Sequence, residues 1–93
     1  MSYEIKPTTQ FRKDLKRCQK RGCDMSLITE VIRRLAAGEA LDPKHHDHQL
    51  TGACKSCREC HIEPDWLLIY EIDGTSLILY LTRTGTHSDL FGR

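Results

Sequence analysis

The stretch CKSCRECHIEPDW, residues 54 to 66, concentrates reactive side chains. Cys54, Cys57 and Cys60 stand at C-x-x-C-x-x-C spacing, and His61 follows the last. Two metal chemistries fit these letters. Residues 57 to 61 read C-x-x-C-H, the attachment string of a c-type haem. Cys54, Cys57, Cys60 and His61 are also four ligands of the kind that hold zinc. Haem attachment needs an oxidising compartment, an axial partner and a pocket for the porphyrin. Zinc needs four side chains in tetrahedral convergence. In a strand, Cys57 and His61 point to one face and Cys60 to the other, so convergence would require a knuckle instead. The simpler expectation is three small hydrophobes in and beside a strand. His45, His46 and His48 form a second tract with metal-binding character. Exposed in a loop, such histidines bind metal weakly, and His46 and His48 alone do not make a site.

A third set carries a different chemistry. It comprises His48, His61, Asp65, Arg83 and His87, with Trp66 and Phe91 as aromatic companions. A hairpin between residues 66 and 83 would return the tail beside residues 61–65. Imidazoles, a carboxylate and a guanidinium would then share one concavity. Such a group suits phosphodiester cleavage without a metal or cofactor. A base takes the proton of a ribose 2′-OH, an acid protonates the 5′ leaving oxygen, and a cation holds the charge that builds on phosphorus. Imidazole serves both proton transfers near neutral pH.

The positioning elements follow from periodicity. Residues 3–6 alternate apolar and polar before Pro7, which predicts a short strand. Thr8 or Thr9 can cap a helix over about 9–21, with Phe11, Leu15 and Cys18 as its apolar stripe and Gly22 beyond its end. Asp24 or Ser26 opens a second helix to about 37, with Leu27, Ile28, Val31, Ile32 and Leu35 facing inward. Residues 38–53 read as a loop. Residues 58–62, 66–72 and 77–82 read as strands, the last two joined through Asp73-Gly74. The tail from Arg83 is too polar for core. The order is β-α-α-β-β-β: an α+β domain, residues 1–93, with a helical hairpin packed on one face of a mainly antiparallel sheet.

Ninety-three residues suffice for one small domain with a modest core. No apolar run is long enough to cross a membrane, and no signal peptide is evident, so a cytoplasmic location is expected. Thiols stay reduced there, and five cysteines then imply no disulfide framework. Residues 1–21 hold seven Lys or Arg against Glu4 and Asp14, so a basic segment sits on an otherwise acidic chain. That asymmetry suits a polyanionic partner.

The stretches DHQLTG (47–52), RECHIEPDWLLIY (58–70) and LTRTGTHSDLFG (81–92) resemble the YafQ branch of the RelE/ParE toxin superfamily. The resemblance spans essentially the whole chain and implies the same RelE-like element order. It implies a bacterial toxin that cuts mRNA in the ribosomal A site without a metal ion. It also implies a cognate antitoxin, and operator DNA met only through that antitoxin. His48, His61, Asp65, Arg83 and His87 match the family's catalytic positions. Trp66 and Phe91 match substrate-side positions. Lys13, Lys16, Arg17 and Lys20 of the basic helix would contact ribosomal RNA. The cysteines are not part of the family pattern. Two other readings stand beside this one: a ParE-like inhibitor of a protein such as DNA gyrase, whose branch lacks the His-rich set, and a small zinc module.

Overall fold

The structure, a computed structural model, describes residues 2–52 and 56–92. The chain runs β1 (Glu4–Pro7), α1 (Thr9–Lys20), α2 (Met25–Ala36), a 3-10 turn (Pro43–His45), β2 (His48–Gln49), β3 (Cys57–Glu63), β4 (Trp66–Asp73), β5 (Ile78–Gly85) and α3 (His87–Phe91). The five strands form one sheet in the order β1-β5-β4-β3-β2. Only β1 pairs in parallel, with β5; the other described pairs are antiparallel. The expected α+β architecture is therefore present. Two short elements, β2 and α3, were not predicted: each is too brief to leave a period in the sequence.

Local chemistry sets the helix ends. The Thr8 hydroxyl accepts the Phe11 N–H at 3.0 Å and starts α1. The Asp24 carboxylate accepts the Ser26 N–H at 3.0 Å and starts α2. Between the helices, Gly22 adopts φ +85°, which a side chain would disfavour. Phe11 and Cys18 of α1 and Ile28, Val31 and Leu35 of α2 join Cys60, Trp66, Leu68, Tyr70, Leu79 and Leu81 of the sheet in one core. Leu27, expected inward, is 39% exposed.

Period two sorts β3 as expected. Cys60 is fully buried against the helices, and its register partner is Leu68. Glu59 and His61 pair with Ile69 and Leu67, which lie outside that core cluster, on the opposite face. So Cys60 and His61 diverge for as long as β3 persists. Among the described residues, this geometry keeps Cys60 and His61 from converging on one haem or zinc site. Cys54 lies outside the described residues. Cys57 is buried and disulfide-bonded, which departs from the expectation that all thiols are free. Burial pushes the Cys60 thiol up to about 12, as befits an inert core residue.

The tail also departs from expectation. Thr84 and Gly85 belong to β5 and are buried. The polarity of Thr84 is satisfied inside: its hydroxyl accepts the Trp66 indole N–H at 3.0 Å and donates to the Leu67 carbonyl at 2.7 Å. Trp66 is consequently a core residue, 4% exposed, with no free ring face for substrate.

Candidate active site

The β3–β4 turn carries Asp65, and the end of β5 leads into α3, whose first residue is His87. Thr86 caps α3 and forms a reciprocal box with Asp89. Asp65 accepts two hydrogen bonds from one residue: the His87 backbone N–H at 2.9 Å and the His87 Nδ1 at 2.6 Å. These contacts, backbone first and ring second, hold the Asp65 carboxyl below the usual carboxylate range. They also favour the imidazole tautomer with its proton on Nδ1 and leave Nε2 out of the contact with Asp65. The His61 ring lies 5.8 Å from the His87 ring, centroid to centroid.

A third imidazole joins them. His46 ends the 3-10 turn in a left-handed conformation, and its ring is 5.6 Å from that of His61. The sequence offers His46 only as a weak metal ligand in an exposed loop, and no periodicity places its ring. The loop is fixed at three points. His45 Nδ1 meets the His61 carbonyl at 2.6 Å. Asp47 accepts the Tyr70 hydroxyl at 2.5 Å, and Arg58 approaches the same oxygen at 3.4 Å. His48 Nδ1 meets the His46 carbonyl at 2.6 Å.

Glu59 was also missed. It is 7% exposed, and its Oε1 lies 3.4 Å from His48 Nε2 and 3.7 Å from His61 Nε2. A strand alternation signal was available: Glu59 and His61 are two apart and must share a face. Buried Leu67 and Ile69, their register partners, floor that face with apolar surface.

Arg83 is held from behind. Asp14 of α1 is fully buried and takes its Nε at 2.7 Å and its Nη2 at 3.2 Å. Asp14 also accepts from Gln10, Arg17 and the Thr84 N–H. Burial pushes its carboxyl up, but the hydrogen bonds of Arg83, Gln10 and Thr84 outweigh this and leave it lowered. Nη1 of Arg83 takes no part in these two bonds. Asp14 stands three residues after Phe11 on the inward stripe of α1, a position that marks a carboxylate bound for burial.

A second clamp ties α3 to α1. Arg21 forks onto Asp89 at 2.6 and 3.2 Å, with Arg17 Nε at 3.8 Å. Gly85 makes room for this. It has φ +155°, and a Cβ there would come within 2.9 Å of the Asp89 side chain. Arg17 thus serves the fold, whereas Lys13, Lys16 and Lys20 remain exposed on α1. Phe91, 43% exposed at the end of α3, presents an aromatic ring beside this region.

The family described as bacterial toxin of type II toxin–antitoxin system, YafQ, matches residues 3–92. The chain belongs to the YafQ toxin family. The mRNA interferase toxin YafQ of Escherichia coli is 40% identical over 90 residues, covering 96% of each chain. The crystal structure of the E. coli DinJ–YafQ toxin–antitoxin complex contains a chain 38% identical, with a TM-score of 0.91, covering 99% of this chain and 100% of that one. A metal-bound toxin from Helicobacter pylori is 44% identical, with a TM-score of 0.91, covering 98% and 100%. As a type II toxin this YafQ-family chain has a cognate antitoxin as partner. Among the described residues, no helix is long and apolar enough to cross a membrane.

Proposed function

We propose that this chain is a ribosome-dependent endoribonuclease that cuts mRNA in the ribosomal A site, and therefore acts in the cytoplasm. The observation that supports it best is the pair of imidazoles 5.8 Å apart, one of them locked by Asp65 through Nδ1. A scissile phosphate fits between such a pair. His87 Nε2 gives a proton to the 5′ leaving oxygen. His61, with Glu59 behind it and His48 on the other side of that carboxylate, takes the 2′-OH proton. Asp65 is a poor base, because its oxygen already binds His87 twice; it positions the acid. Arg83 offers Nη1 to the charge on the phosphorane, and Phe91 stacks on a base. Lys13, Lys16 and Lys20 hold ribosomal phosphates. Operator DNA is met only through the antitoxin.

No step in this scheme needs a metal. The H. pylori relative was solved metal-bound, so the point calls for a direct test. Programmed ribosomes are treated with EDTA, and magnesium is restored only enough to keep them intact. Cleavage should persist, giving 2′,3′-cyclic phosphate and 5′-OH ends. An mRNA with a 2′-deoxy sugar just 5′ of the cut should resist. Cleavage of the deoxy substrate, or activity that returns only with zinc or copper, would overturn the scheme.

A further inference from the structure

The site does not use Cys18 and Cys23, and their placement is specific. The end of α1 is a Schellman motif. The Cys23 N–H bonds the Cys18 carbonyl at 3.1 Å, the Gly22 N–H bonds the Gln19 carbonyl at 3.1 Å, and Gly22 holds φ +85°. This motif brings the side chain after the glycine against the one five residues earlier, and apolar residues commonly fill that contact. Here both are thiols. Both are free, and the Schellman backbone sets the two side chains against each other. Cys18 is 2% exposed in the core, whereas Cys23 is half-buried at the turn. Arg21, between them, is the residue that forks onto Asp89 of α3.

We infer that Cys18 and Cys23 form a reversible dithiol–disulfide pair that responds to peroxides and clamps the end of α1. Cys23, the accessible sulfur, attacks a peroxide oxygen: the O–O bond breaks, Cys23 becomes a sulfenic acid, and water leaves. Cys18 then displaces the sulfenic hydroxyl, forming the S–S bond, and its thiol proton departs with that hydroxyl as a second water. Two thiols are oxidised and one peroxide is reduced. A dithiol of the glutathione or thioredoxin kind reverses the change. Burial, followed by the neighbouring Cys23, pushes the Cys18 thiol up to about 11, so it is the resolving partner and not the sensor.

The test uses the full chain, reduced, treated with a small excess of hydrogen peroxide and then alkylated. Trypsin cuts after Lys20 and Arg21, so the peptides carrying Cys18 and Cys23 should appear joined and should separate with dithiothreitol. The thermal midpoint should rise by roughly 5–10 °C, as closure of a short loop allows. Amide exchange in α3 should slow several-fold, because Arg21 is held against Asp89. Cys23→Ser, remaining folded, should lose the joined peptides and the slowed exchange, and its thermal rise should shrink to what re-forming the Cys57 disulfide contributes. Over-oxidation of Cys23 with Cys18 still alkylatable would overturn the inference, as would a bond from Cys23 to another cysteine or to a second chain. None of these measurements reads RNA cleavage, so failure here leaves the proposed nuclease untouched.

Discussion

Two carboxylates, Asp14 and Asp65, hold cationic or protonatable partners with nearly the same bond lengths. Asp14 meets Arg83 at 2.7 Å; Asp65 meets His87 at 2.6 Å. Their surroundings differ. Asp14 is sealed between α1 and β5 and saturated by four neighbours, so nothing can reach it. Asp65 lies on an exposed turn and serves one imidazole whose second nitrogen is uncommitted. The buried carboxylate builds structure around its arginine, and the exposed one fixes the orientation of an imidazole. Each pair can meet a ligand only through the atom it leaves unbonded: Nη1 of Arg83 in the first, Nε2 of His87 in the second.

The sharpest break in that comparison is His87→Gln. The fold and ribosome binding should survive, and single-turnover cleavage should fall roughly 10²–10⁴-fold, the usual worth of a positioned general acid. A 5′-phosphorothiolate substrate, whose sulfur leaves without a proton, should recover most of that loss. Failure of the thio substrate to rescue would assign His87 to phosphate binding instead.

Asp14→Asn attacks the other side. The buried node loses its charge while Arg83 stays, so stability should fall by about 1–3 kcal/mol, measured by denaturant unfolding. Cleavage should also drop, because Arg83 loses its anchor. Arg83→Ala in the Asp14→Asn background should cost little more stability, since the pair acts as a unit. Full additivity of the two changes would dissolve the node into independent contacts.

Acid should weaken both clamps. Asp89 is lowered chiefly by Arg21, and Asp14 is lowered by its hydrogen bonds despite burial, both from an ordinary value of 3.8. A carboxylate depressed in the folded state contributes stability above its unfolded value and loses it as pH falls through the folded value. The thermal midpoint should therefore be flat down to about pH 5 and fall below about pH 4. Asp89→Asn should make that fall shallower; an unchanged slope would deny the α3 clamp an energetic role.

The smallest effect belongs to the surface. Reversing Lys13, Lys16 and Lys20 to Glu should weaken ribosome association and flatten its salt dependence, with little change in stability. Arg17, expected to share that role, is left out because it bonds Asp14 and approaches Asp89. Binding unaffected at moderate salt would make the three lysines a plain solvated face.

Periodicity, with cap and turn residues, determined the order of the longer elements and most of the core; β2 and α3 escaped it. Stripes of three or four residues and runs of period two reflect which face of a helix or strand meets the core, and that is a local property. The same alternation was enough to separate Cys60 from His61. The residue types of the site were legible because His48, His61, Asp65, Arg83 and His87 match a long motif. Their partnerships were not. Asp65 meets His87 across 22 positions and Asp14 meets Arg83 across 69. Such pairs depend on how β4, β5 and α1 pack, and no window along the chain contains both members. For the same reason His46 and Glu59 emerged, and Trp66 withdrew into the core, only once the sheet was assembled. The sequence determined which chemistry was available; tertiary packing decided which groups kept a free face to perform it.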